Sequence, residues 1–266
     1  MKKIFSMIAF AALMLAVVSC DKIDDPLKPY TPSGGGKTVL IKDFTGVRCV
    51  NCPEAAEAAH ELQHKLGEDR VFILSVHAGF LATAVGQFPD FTTPEGTAWY
   101  NGNSANPLFA VDHVALTDGN TLNVEQIDIP VSEALSEPQL FDISISNTFD
   151  ETSRRLNVEN RFIPQSDGEG QYYATVCLVE DSIVGRQVVP GGVDTAYVFR
   201  NVFRGTLNGA DGELVSEGSF YVEDSFTTTC GVEMDATYNA DQCYVMTYIY
   251  DKADGKIMQT ALKKVK

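Results

Sequence analysis

From Lys37 onward the chain changes its hydrophobic period, and that change divides it. "KTVLIKDF" (37–44) and "DRVFILSVH" (69–77) are short apolar runs rich in β-branched residues and bounded by charge or glycine, the pattern of buried strands. Between them, "CPEAAEAAHELQHKLG" (52–67) has the helical period. Ala55, Ala59, Leu62 and Leu66 fall on one stripe, Glu54 sits in the first turn where it favours the helix dipole, and Gly67 is a natural stop. A strand, a crossover helix and a second strand predict a βαβ unit with parallel strands. A loop-rich stretch follows, "AGFLATAVGQFPDFTTPEG" (78–96), and then "TAWYNGNSANPLFAVDHVAL" (97–116), which ends in another apolar run.

From about Pro138 the period shortens to two. "QLFDISISNTF", "RLNVENRF", "QYYATVCLVED", "AYVFRNVF", "SFYVEDSF", "CYVMTYIYD" and "KIMQTALKKV" are strand-like segments separated by turns such as "SDGEG", "GADGE" and "KADGK". Seven antiparallel strands without a helical pattern predict an all-β sandwich (Ig-like) domain over 138–266, behind an α/β domain over 37–137.

The N-terminus is a targeting segment. Lys2 and Lys3 precede an apolar stretch from Ile4 to Val18, which is shorter than the ~20 residues of a membrane span and predicts a secretory signal over 1–19. Ser19 directly before Cys20 resembles the lipobox of bacterial lipoproteins, with Val17 as a loose match three positions before the cut. Lipid on Cys20 then holds the protein on a membrane surface, and the acidic, Pro-rich and Gly-rich residues 20–36 form a flexible tether. The alternative is a soluble secreted chain with a spare cysteine. The acids in "CDKIDD" also resemble a signal that sends some lipoproteins to the outer face of the outer membrane.

Charge removes one class of partner. The formal net charge of −16 becomes −16 − 2 = −18 once Lys2 and Lys3 leave with the signal, and no basic cluster offsets it. Such a chain repels phosphate backbones, so nucleic acid is excluded as a partner.

The candidate chemistry lies in "DFTGVRCVNCPEA" (43–55), where Cys49 and Cys52 stand between a strand and a helix of the βαβ unit in a secreted chain. A CxxC pair in that position reads as a thioredoxin-like redox motif, because helix N-terminal amides stabilise a thiolate at the first cysteine. Arg48 adds a positive charge beside it, and Cys52, expected to be the less exposed, is the resolving thiol. Two other readings stay open. One is a non-catalytic disulfide. The other is half a zinc site, for which one CxxC supplies two of four ligands.

The surrounding residues resemble the thioredoxin superfamily. Asp43, six residues before Cys49, matches an acid that in that superfamily is buried beneath the pair and moves protons during exchange. Pro107 in "SANPLFAVDH" matches the cis-proline opposite the pair, where substrate backbone docks. Arg48 replaces the usual tryptophan, and Leu108 the usual threonine after the proline. With the signal, the lipobox, "LVEDSIVGRQVVPGG" and "YVFRNVFRGTLNG", nearly all the mature chain resembles the outer membrane protein 28 family of lipoproteins. That resemblance implies an outer membrane lipoprotein, facing the periplasm or the cell surface, with a thioredoxin-like domain and a C-terminal β domain.

Other motifs carry less. "HELQH" (60–64) has the spacing of a zinc-protease helix, but both histidines are expected to face water opposite the apolar stripe, and Arg70 stands where a third ligand belongs. His77 and His113 read as strand residues. Cys177, Cys230 and Cys243 allow at most one bridge among them; Cys177–Cys243, Cys230–Cys243 and no bridge are all compatible with the spacing. The expected function is thiol–disulfide exchange with protein disulfides or thiols of the envelope, with no cofactor and no metal. The rival is a non-catalytic binding or adhesion lipoprotein whose β domain holds the partner.

Overall fold

The structure, a computed structural model, describes residues 36–266; the predicted signal, Cys20 and the tether up to Gly35 lie outside the described residues. β1 (Val39–Thr45), α1 (Cys52–Leu66) and β2 (Val71–His77) form the expected βαβ unit, with Val39 opposite Val71 and Thr45 opposite His77 in a parallel pair. Every residue of both strands is buried, as continuous apolar runs require when both faces of a sheet are covered. On one face, Ala55, Ala59 and Leu62 of the helix meet Ile41, Val71 and Ile73.

Two short helices and a strand complete this half: α2 (Pro94–Tyr100), β3 (Leu108–Val111) and α3 (Asp128–Ser136). β3 runs antiparallel to β1, with Leu108 opposite Phe44 and Phe109 opposite Asp43. α2 begins at the end of the stretch read as loop and α3 lies where no element was expected, because elements of seven and nine residues are too short to display a period. α2 starts at Thr93, whose hydroxyl accepts the Gly96 N–H at 2.9 Å. Thr93→Ala is therefore expected to destabilise the protein by about 1 kcal/mol, measurable as a shift in urea midpoint at constant slope.

The second half holds ten strands where seven were expected. They are β4 (Phe141–Asp150), β5 (Arg155–Pro164), β6 (Gly168–Glu180), β7 (Ile183–Val189), β8 (Gly192–Phe199), β9 (Val202–Thr206), β10 (Glu213–Phe220), β11 (Phe226–Glu233), β12 (Cys243–Asp251) and β13 (Ile257–Lys264). "AYVFRNVF" is two strands, broken at Asn201, which takes φ 53°. "SFYVEDSF" is the end of β10, a turn and the first residue of β11.

One eight-stranded sheet runs through both halves in the order β13-β12-β6-β9-β2-β1-β3, with β10 sharing an edge of the long β6. The junction is a parallel pairing of β2 with β9, where Ser75 lies opposite Val202 and its N–H donates to the Asn201 carbonyl at 2.9 Å. Leu40, Phe72, Val76 and Trp99 from the first half pack with Val179, Phe203, Tyr244 and Tyr248 from the second in a single core. The fold is thus mixed α/β and rich in strands, and its main sheet does not stop at residue 137.

A three-stranded sheet, β11-β5-β4, covers the opposite face of the second half, burying Phe141, Ile143, Leu156 and Phe162 against Tyr172, Val176, Phe220 and Val245. The strict alternation of β5 matches its half-buried position. Cys177 faces the first core and Cys243 the second, so the sheet separates them, and Cys177, Cys230 and Cys243 are all free. β7 and β8 form a hairpin outside both sheets.

Candidate functional site

β1 ends at Thr45 and the chain turns through Gly46 to Asn51 before α1 begins. A Cβ on Gly46 would lie 2.6 Å from the Leu81 carbonyl carbon, so only glycine permits the close approach of the 78–82 loop, which also takes the Arg48 N–H on the Leu81 carbonyl at 2.9 Å. Cys49 and Cys52 are joined in a disulfide at the N-terminus of α1, where the unpaired amides and the macrodipole favour negative charge.

Both sulfur-bearing residues are only 2% exposed. The expectation that Cys49 is the more open of the two is corrected here, and β7 lies against its loop. The Val188 N–H donates to the Val47 carbonyl at 3.0 Å, and the Gln187 amide donates to the carbonyls of Cys49 at 2.9 Å and Gly46 at 3.4 Å. Arg48 turns toward the neighbouring loop: its guanidinium donates to the carbonyls of Phe80 and Thr83 and stacks 4.6 Å from the Phe80 ring.

The remaining predicted residues converge on the same end of the sheet. Asn106–Pro107 is a cis peptide directly before β3. The Asn106 amide donates to the carbonyls of Phe44 at 3.0 Å and Ala78 at 3.3 Å, tying this turn to the ends of β1 and β2. Asp43 is 1% exposed, its Oδ1 has no hydrogen-bond partner, and burial raises its pKa to about 7. Cys52 and Asp43 both line a cleft of about 610 Å³ between α1 and β8, whose walls also include His60, His77, Tyr197 and Asn201.

His77 packs edge-on against Phe91 and Phe199, and burial, helped by the Arg204 charge, pushes its pKa down to about 3. It stays neutral at ordinary pH, so it does not titrate there as a proton shuttle. His60 differs from expectation. It is half-buried against the cleft, with Nδ1 3.2 Å from the Gln63 amide oxygen, and its pKa is lowered chiefly by burial, while His64 is exposed and pairs with Glu68. Among the described residues, no group of three or more His, Cys, Asp or Glu is placed to hold a metal ion.

Sequence reasoning missed Gln187 and Tyr197. Nothing local marks them, because their place at the site depends on a hairpin folding back over a loop far away in sequence.

The protein is thus a mixed α/β, strand-rich protein with a buried disulfide on a helix N-terminus, and a solved structure shares its fold. HBP35 of Porphyromonas gingivalis aligns with a TM-score of 0.66 at 13% identity, over 86% of this chain and 76% of that one. A domain of the outer membrane lipoprotein Omp28 from the same organism aligns at a TM-score of 0.32 and 15% identity, over 47% of this chain and 88% of that one. No family model matches the chain, and neither does any curated protein.

Proposed function

We propose that the protein is an outer membrane lipoprotein, anchored through Cys20, whose thioredoxin-like first half exchanges disulfides with envelope proteins and whose second half is an Ig-like sandwich. One observation carries the chemistry. Asp43, with a pKa near 7, and Cys52 share a cleft beneath a disulfide that caps α1, next to a cis-proline turn held on the ends of β1 and β2. A buried acid with a pKa near ambient pH suits proton transfer at a thiol.

In the reducing direction, the Cys49 thiolate attacks one sulfur of a substrate disulfide and releases the other as a thiolate. Cys52 gives its proton to Asp43 and attacks Cys49, which re-forms the internal disulfide and releases the second substrate sulfur. Two electrons pass from the pair to the substrate, whose two thiolates take up two protons, one of them from Asp43. An external dithiol reverses the change at Cys49–Cys52, and no cofactor enters.

The burial of both cysteines favours a second reading, in which the disulfide is a staple and the β half binds a partner. Alkylation of reduced protein lacking residues 1–20, followed against pH with Cys52→Ala as background, separates the two. Exchange chemistry requires a Cys49 pKa below the ~8.5 of a free thiol and loss of turnover on a protein disulfide in Cys49→Ser. A normal thiol pKa, with a pair that glutathione buffers leave oxidised, would assign it as a staple.

A further inference from the structure

We propose that the β7–β8 hairpin is a lid, and that Cys49 meets an outside thiol or disulfide only when the hairpin lifts; this regulation rests on the exchange reading for its purpose. The closed position is defined by three donations onto the redox loop, from Val188 N–H to Val47 and from the Gln187 amide to Cys49 and Gly46. Gln187 is itself buried by the contact. An extended strand bonded through its main chain to the redox loop occupies the Val47 carbonyl that an incoming extended polypeptide could otherwise use.

The hairpin is built to move as a unit. It joins neither larger sheet, β8 has one unpaired edge, and most of β8 is exposed. Its apolar attachment is the cluster in which Ile183, Tyr197 and Phe199 meet Val47, Phe88, Phe91 and Val202. Tyr197, Val198 and Phe199 of β8 line the cleft of about 610 Å³ that faces α1.

Both legs turn at the same point. Ser182 and Asn201 take φ 59° and 53°, and the buried Asp181 carboxylate accepts the Ser182 hydroxyl at 2.8 Å and the Asn201 N–H at 3.0 Å, with Arg200 Nη1 at 3.6 Å. One carboxylate therefore pins the two hinge positions while the hairpin beyond them is held by a few bonds. Segments with few buried contacts and sparse hydrogen bonding open at low free energy.

The test is the rate at which dithiothreitol reduces Cys49–Cys52 in the oxidised protein lacking residues 1–20. In this step the two dithiothreitol thiols become a disulfide, and each protein sulfur gains one electron and one proton. Gln187→Ala, and a chain in which 184–198 is replaced by a Gly-Ser-Gly turn, should both react faster than wild type. The expected gain for Gln187→Ala is on the order of tenfold, the rate equivalent of about one lost hydrogen bond.

Equal rates in wild type and in every folded variant would overturn the lid. If the shortened chain fails to fold, Gln187→Ala decides alone, with folding checked by circular dichroism. Turnover of a protein disulfide separates this idea from the exchange reading. Faster reduction without turnover in any form keeps the lid and removes the enzyme. Turnover in wild type with unchanged reduction rates keeps the enzyme and removes the lid.

Discussion

Phe203→Ala is expected to lower stability by about 3–5 kcal/mol and to weaken both halves of the protein together. Phe203 is fully buried on β9, with its ring 4.8 Å from Trp99, in the core that joins Leu40 and Phe72 to Tyr244 and Tyr248. Removing the ring leaves a cavity at the strand that links β6 to β2, so neither half escapes the loss. Trp99, the single tryptophan, reports on the first half, while a fluorophore on the free, partly exposed Cys230 of β11 reports on the second. In urea the two probes should give coincident transitions in wild type and the same downward shift in the variant. Two separate midpoints, only one of them displaced, would show that the halves unfold independently despite the shared sheet.

Asp43→Asn should stabilise the protein at pH 8 by about 2–4 kcal/mol and have a much smaller effect at pH 5. Burial raises the folded pKa of Asp43 to about 7, above the unfolded value of about 3.9. The native state therefore holds the proton more tightly than the unfolded chain does. The resulting stability is fully present below about pH 4 and lost as pH rises through about 7. A shift of about three pKa units corresponds to about 4 kcal/mol at most, and the asparagine amide, which does not ionise, avoids that loss. Urea midpoints at pH 5 and pH 8 measure the difference directly. A gain that does not grow with pH would mean that Asp43 is not held protonated by burial. Under the exchange reading the same variant should turn over more slowly, because Cys52 loses its proton acceptor.

These two sites show what was local and what was not. The unit β1–α1–β2 and the position of Cys49–Cys52 at its helix start depend on short-range period and turn chemistry, which a linear reading carries, whereas Asp43 and Pro107 are marked by the resemblance to the thioredoxin superfamily. Strand character in the second half was legible for the same reason, since β5 alternates and β12 is a continuous apolar run. The placement of those strands was not. Ser75 meets Val202, and Met246 rather than Cys243 lies opposite Cys177, through registers set by long-range pairing.

Burial also depends on distant segments that supply the cover. Lys42, in the middle of a predicted strand, is fully buried only because Tyr248, Trp99 and the Val114 carbonyl receive its ammonium, and that burial lowers its pKa to about 7. Cys49 is buried in a loop whose carbonyls receive Gln187 and Val188 on a hairpin from the other half. The amino-acid sequence by itself determined the elements and the place of the cysteine pair between them, because period, capping and spacing act within a few residues. Tertiary structure alone decided the shared sheet, the burial of the disulfide and the hairpin above it, because each depends on loop closure between segments that have no local reason to meet.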